Sequence, residues 1–201
     1  MKEIGPRLVI ATHNEGKLRE LRSLLRDFDI EALGARELDL AEPDETEETF
    51  VGNARIKAHA AAAATGLPAL SDDSGIEVDA LGGAPGVHTA DWAETPEGRD
   101  FPMAMRRVWE LVVAAGPGAP RTARFRATLC LAWPDGEDEI FEGKAEGHVD
   151  WPMRGELGFG FDPMFVPKGH DRTFGQMPPE EKEPLTHRAA AFARLRRRLA
   201  A

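Results

Sequence analysis

Cysteine is nearly missing from this sequence: Cys130 is the only one among 201 residues. A lone cysteine excludes an internal disulfide framework and cannot build a thiolate metal centre by itself. A reducing compartment is the simple reading, and Cys130, inside a predicted core strand, reads as a small hydrophobe. Apolar runs of membrane-spanning length are also missing, and the N-terminus has no signal-peptide core. The expectation is a soluble, cytoplasmic protein. Basic excess is absent as well: 25 Lys and Arg stand against 35 Asp and Glu, a net charge of −10. Such a surface argues against broad binding to nucleic acid or to an anionic membrane. An anionic ligand must then be met by a local cluster of cations or by a metal. Two phosphate signatures are lacking too. No G-x-G-x-x-G stretch occurs, and Gly16-Lys17 has neither the earlier glycine nor the following Ser or Thr of a Walker A loop.

What is present suits one domain, residues 1–201, or two intimate lobes, and a hydrophobic content of 42% allows a sizeable core. Arg7 to Ala11 reads as a short buried strand and Thr12 to Gly16 as a turn. From Lys17 to about Asp27, the residues Leu18, Leu21, Leu24, Leu25 and Phe28 keep helical spacing. An acidic loop, Ala41 to Glu48, precedes a helix from about Glu47 to Thr65, stopped by Gly66 and Pro68; its run Ala60–Ala64 reads as helix filler. Leu67 to Leu70 reads as a strand opening onto Asp72-Asp73, with Ser74-Gly75 as a turn. Ile76, Val78 and Ala80 alternate with Glu77 and Asp79 as a half-buried strand does. Asp100 and Pro102 start a third helix that ends near Gly116. Arg124 to Trp133 alternates, Asp135-Gly136 signals a hairpin turn, and Glu139 to Val149 returns. A Gly- and Phe-rich loop, Gly155 to Phe165, leads to a last helix from about Thr186. Its run Arg194, Arg196, Arg197, Arg198 reads as a solvated face. The pattern is a mixed α/β domain.

Five segments carry chemistry. Asp72-Asp73 is either a pair of loop carboxylates capping backbone amides or a divalent-metal site. Mg²⁺ is held by one or two carboxylates plus substrate phosphates, and a dication relieves the repulsion of adjacent anions. Asp44 to Glu48 offers a further ligand. Thr12-His13-Asn14-Glu15-Gly16-Lys17 joins a strand to a helix N-terminus, where amides and dipole favour an anion and Lys17 adds a charge. Asn53 and Lys57 share a helix face. Gly158-Phe159-Gly160-Phe161-Asp162-Pro163 combines flexible backbone, rings and a carboxylate, which can stack a base and bond its edge. Lys182, His187 and Arg188 gather about the start of the last helix. Each segment alone is matched by a bland alternative: a turn, a solvated stripe or core phenylalanines.

Together they are more specific. THNEGKLREL (12–21), ETEETFVGNARIKA (45–58), LSDDSGIEVDALGGAPG (70–86), GFGFDPMF (158–165) and EEKEPLTHR (180–188) stand in an order and spacing that resembles the inosine/xanthosine triphosphate pyrophosphatase family. That resemblance implies a mixed central β-sheet flanked by helices, with two lobes, a nucleotide cleft between them and a homodimer. It implies Mg²⁺-dependent hydrolysis of non-canonical purine nucleoside triphosphates (ITP, dITP, XTP) to monophosphate and pyrophosphate. By the same resemblance, Thr12, His13, Asn14, Glu15, Gly16 and Lys17 bind the triphosphate. Glu45, Asp72 and Asp73 hold metal, with Asp73 also the proton acceptor. Asn53 and Lys57 lie near the phosphates, and Ser74 touches substrate. Phe159, Gly160, Phe161 and Asp162 surround the base, with Lys182, His187 and Arg188 as further contacts. Two departures stand out. His88-Thr89-Ala90-Asp91-Trp92 replaces a family stretch often reading Tyr-Ser-Ala-Arg-Tyr, and Ala189 replaces the glycine after His-Arg. The competing readings are a pyrophosphatase for modified pyrimidine nucleotides, a nucleotide-binding module without turnover, and a nucleic-acid binder.

Overall fold

The computed structural model describes residues 2–200. Six strands form one sheet: β1 (Arg7–Ile10), β2 (Glu31–Gly34), β3 (Ala69–Val78), β6 (Thr122–Ala132), β7 (Asp138–Val149) and β8 (Phe165–Pro167), in the order β2-β1-β3-β6-β7-β8. A separate two-stranded ribbon joins β4 (Glu94–Thr95) to β5 (Gly98–Arg99). The long sheet is mixed, because β1 runs parallel to β2 and β3 whereas β7 and β8 are antiparallel. The helices are α1 (Glu15–Leu25), α2 (Phe50–Thr65), α3 (Phe101–Ala114), a single turn α4 (Pro179–Lys182) and α5 (His187–Leu199).

The chain divides into two compact units, and neither is contiguous in sequence. One takes the chain up to Asp73, Thr128–Glu142 and the segment from Ala191; the other takes Ser74–Ala127 and Gly143–Ala190. In the first, Val9, Ala69, Cys130 and Ala132 pack with Ala54, Ala58, Ala61 and Ala62 of α2. The alanine run is therefore more than filler: Ala61 and Ala62 are core, while Ala60, Ala63 and Ala64 face water. Small side chains on this face bring the α2 backbone close to the strands. In the second unit, Ala104, Met105, Val108 and Val112 of α3 join Ile76, Val78, Phe125, Phe161, Phe165 and Phe174 in the core.

Helix starts follow side-chain caps. Asn14 accepts from Gly16 N and Lys17 N, so α1 begins at Glu15, two residues before the predicted start. Thr49 accepts from Gly52 N and starts α2 at Phe50, not at Glu47. Thr186 accepts from Ala189 N, 3.0 Å away, at the start of α5. The predicted Ser74-Gly75 turn does not form. β3 continues from Ala69 to Val78, since its neighbours β1 and β6 pair with it and Leu70, Ile76 and Val78 all bury. Asp72 and Asp73 are thus mid-strand residues. The latter half of β6 is buried on both faces, Ala127 through Ala132, where alternation predicted one. The hairpin at Asp135-Gly136 forms, with Gly136 at φ +91°. β2 and β8, only four and three residues long, carry too little pattern to be read in advance. The terminal arginines are not all solvated, since Arg198 pairs with Glu139 at 2.8 Å and donates to Lys2 O at 2.6 Å. No helix among the described residues is long and apolar enough to cross a membrane.

Between η1 (Arg36–Leu38), a 3₁₀ turn, and α2 lies an irregular acidic strap, residues 40–48, crossing over the start of α2. A Cβ added at Gly52 would stand 2.5 Å from Glu47 Cβ. Alanine normally stabilises a helix interior over glycine by about 0.5–1 kcal/mol. At Gly52 the sign reverses: Gly52→Ala is expected to cost about 1 kcal/mol or more by overpacking. Urea unfolding of the two proteins checks it, and an equally stable Gly52→Ala protein would show that the strap is not seated there.

Candidate functional site

In the first unit the predicted residues fall into one linked set. β1 ends at Ile10, and the turn before α1 is built by its own side chains: Thr12 Oγ1 accepts from Asn14 N, and Asn14 Oδ1 takes the amides of Gly16 and Lys17. The sequence offered those amides to an anion, yet the Asn14 cap satisfies them. Lys17 adds a full positive charge to the same turn. Its ammonium lies 2.7 Å from Asp72 Oδ1, and the Asp72 side chain is wholly buried. Glu15 stands apart, facing Arg36 at the surface. His13 Nε2 is 2.8 Å from Leu40 O. A carbonyl only accepts, so Nε2 carries the hydrogen and ties this turn to the head of the acidic strap.

The strap is tied again further on. Asn53, 2% exposed, accepts from Glu47 N at 2.9 Å. Lys57, one turn along α2, donates to Glu45 Oε1 at 2.6 Å and to Asp73 Oδ1 at 3.0 Å. Asn53 and Lys57 share a helix face, as their spacing requires, but that face is buried beneath the strap. Ser71, which the sequence reading passed over, donates to Ala54 O and fixes β3 against α2. It stands inside the quoted segment 70–86, but local pattern does not show its role, because a serine hydroxyl on a helix carbonyl is a purely tertiary contact.

Burial sets the electrostatics here. It pushes the Asp73 carboxyl above its usual range, and the attraction of Lys57 and Lys17 only partly counters it. Burial pulls Lys57 down, but Asp73 and Glu45 overcome that and leave it raised. Asp73 Oδ2 is buried with no hydrogen-bond partner among the described residues. Among those residues no three His, Cys, Asp or Glu side chains converge on one point. Glu45 and Asp73 share Lys57 instead, and Asp72 turns to Lys17. Two carboxylates with an unspent buried oxygen fit a hard cation such as Mg²⁺, which takes one or two carboxylates and completes its shell with water and phosphate.

In the second unit the Gly-Phe loop is held by its own acid. Asp162 Oδ2 accepts from Phe159 N at 2.8 Å and from Lys182 Nζ at 2.6 Å. Gly158 sits at φ +78°, and a Cβ there would meet Asp162 Oδ2 at 2.1 Å, so glycine is required. Burial raises the Asp162 carboxyl, against the pull of Lys182. Phe159 is 42% exposed, with the Lys182 ammonium 5.2 Å and the Arg188 guanidinium 5.9 Å from its ring. Phe161 is a core ring, edge-on to Phe101. Gly160 and Phe159 line an open, mainly apolar pocket of about 390 Å³ with Phe101, Met105, Leu157 and Pro163. Arg188 is 1% exposed and its Nη2 donates to Ser74 Oγ at 3.2 Å. The His187 ring stacks on Phe125 at 4.9 Å. The divergent His88–Trp92 stretch is exposed or half-buried; His88 faces Asp91, and Arg107 covers the Trp92 ring.

The raised Asp73 carboxyl has a thermal consequence. A carboxyl that binds its proton more tightly when folded stabilises the fold only while protonated, and that stability is lost as pH rises through the folded value. Asp73→Asn mimics the protonated form. In metal-free buffer at pH 7 it is expected to melt at or above the wild-type temperature, and the difference is expected to vanish near pH 3, below the usual 3.8. A variant melting clearly lower at pH 7 would contradict the direction.

Comparison with known proteins joins these features to a family. The model of the Ham1 family matches residues 8–198. A dITP/XTP pyrophosphatase of Ruegeria pomeroyi is 64% identical over 187 residues, covering 93% of this chain and 92% of that protein. One from Rhizobium meliloti is 58% identical over 200 residues, 94% of each. Among solved structures, a HAM1 protein from Coxiella burnetii matches with a TM-score of 0.89 at 37% identity, covering 96% of this chain and 98% of that one. The Ham1 protein of Staphylococcus aureus matches at 0.84 and 31%, with the same coverage. The matched span takes in all five motif segments, and the chain belongs to the Ham1 family.

Proposed function

We propose that this chain hydrolyses non-canonical purine nucleoside triphosphates (dITP, ITP and XTP) to the nucleoside monophosphate and pyrophosphate, with Mg²⁺ as cofactor. Relatives more than half identical over nearly their full length are named dITP/XTP pyrophosphatases. The observation that carries the reading is Asp73: a buried carboxylate with one oxygen on Lys57 and the other without a hydrogen-bond partner among the described residues.

A buried acid whose pKa is raised is a better base than a free one. Asp73 orients a water and takes its proton. The water oxygen bonds to the α-phosphorus as the α–β bridging bond breaks, and pyrophosphate departs with that bridging oxygen. Lys17 and Lys57 offset charge that grows on the phosphates. Glu45 and Asp73, with Asp72 beside them, are the residues that would hold Mg²⁺, which supplies charge neutralisation when bound. His13, Asn14 and Asn53 hold the turn and the strap beside the phosphates. Phe159 offers its exposed ring to the base, while Asp162 and Lys182 brace its loop and Arg188 supplies a donor. Hypoxanthine and xanthine carry a 6-keto acceptor where adenine carries an amino donor. An unmatched buried amino group costs roughly 1–3 kcal/mol, which supports selection against ATP. Guanine shares the keto group, so its 2-amino group must be refused by shape or by lack of an acceptor. We read the chain as one functional domain, since neither compact unit is contiguous in sequence. The family resemblance supports a homodimer, and the single cysteine supports a reducing cytoplasm. The net charge of −10 supports no nucleic-acid or membrane partner.

The test is pyrophosphate release across ITP, dITP, XTP, GTP and ATP, with and without Mg²⁺. The expected result is kcat/KM highest for ITP, dITP and XTP, and no turnover without metal. Equal values across the panel would refute the selection. Asp73→Asn is expected to abolish turnover while keeping the circular dichroism of the wild type; near-normal pyrophosphate release by that variant would remove Asp73 from the mechanism.

A further inference from the structure

Lys57 lies between two carboxylates. Its ammonium is 2.6 Å from Glu45 Oε1 and 3.0 Å from Asp73 Oδ1, and its side chain is only 8% exposed. An ammonium has three donors, and here two are spent on carboxylates rather than kept for phosphate. The two oxygens it holds are hard anionic ligands of the kind a divalent cation takes. Together Lys17 and Lys57 set two positive charges against the three negative charges of Glu45, Asp72 and Asp73. Without Lys57, the Glu45–Asp73 pair would be left uncompensated in a buried place, which is costly.

We propose that Lys57 is the resident counter-cation of the metal-free site and competes with the divalent cation for Glu45 and Asp73. This rests on the reading of those two carboxylates as metal ligands. Metal loading then requires Lys57 to release at least one of them. Asp73 is fixed in β3, with its side chain 6% exposed, whereas Glu45 rides on the irregular strap and is 39% exposed. Glu45 is therefore the partner that lets go. The strap's ends stay tied, by His13 at Leu40 O and by Asn53 at Glu47 N, so the exchange is confined to the residues between them. A released Lys57 is free to meet phosphate. Metal and triphosphate thereby assist each other's binding through one side chain, a coupling that must be reciprocal.

The test measures binding of Mn²⁺ alone, by electron paramagnetic resonance, to the full chain without nucleotide. Removing the competitor with Lys57→Met is expected to tighten Mn²⁺ about tenfold, while Lys57→Arg, which keeps the charge, is not. Lys17→Met removes an equal charge from Asp72 and is expected to gain much less. Unchanged or weaker binding by Lys57→Met overturns the proposal. So does an equal gain by Lys17→Met, which would reduce the effect to net charge. Asp73→Asn is expected to weaken Mn²⁺ in every background; if it never does, the metal reading itself fails, an outcome distinct from failure of the competition alone. Should Lys57→Met not fold, the wild-type chain still decides. With its lysines ¹³C-methylated, the Lys57 signal, assigned through Lys57→Arg, is expected to shift as Mg²⁺ loads the site. A signal unmoved at saturating Mg²⁺ overturns the proposal.

Discussion

A buried cluster of opposite charges organises this protein's chemistry: Lys57 between Glu45 and Asp73, and Lys17 against Asp72. Charges withdrawn from water are tolerated only when paired, and removing one partner leaves the other stranded. The cluster constrains three elements at once. β3 must carry two adjacent acids through the sheet without turning. α2 must lie close enough for a lysine on its second turn to reach them, which its small alanine face permits. The turn before α1 must bring Lys17 to the same strand. Adjacent side chains on a strand point to opposite faces, and Asp72 and Asp73 accordingly meet different lysines.

The acidic strap shows how motif residues support one another. His13, Asn53 and Gly52 each hold it: through a carbonyl, through an amide, and by leaving room for Glu47. Read from sequence alone, these residues belong to phosphate-facing motifs. Their geometry makes them the supports of Glu45, the one acid of the cluster that does not lie on regular structure. Precise placement of a functional group depends on such supports.

The second unit repeats the device on a smaller scale. Asp162 bonds the amide of Phe159 and the ammonium of Lys182, fixing a loop whose glycine at position 158 leaves that carboxylate the room it needs. One phenylalanine of the loop points to water and the other to the core. Arg188, a fully buried cation, is kept in place by a hydroxyl of β3 and stands near the exposed ring.

Local rules made much of this legible in the residues themselves. Helical spacing, the Asp100 cap, the Asp135-Gly136 hairpin and the order of the five motif segments are all readable along the chain, because each depends on neighbours a few residues apart. What the chain could not show was anything decided by partners distant in sequence. Ser74-Gly75 has the composition of a turn, yet pairing on both sides holds β3 straight. Asn53 and Lys57 have the spacing of a solvated stripe, yet the strap covers them and spends their polar atoms. Phe159 and Phe161 have the same local sequence setting, and only burial of Phe161 in the second unit's core separates exposed ring from core ring. Periodicity and composition thus determined the elements and their chemical vocabulary. Burial and long-range pairing decided which acids are buried, which cations answer them, and which motif residues support the others.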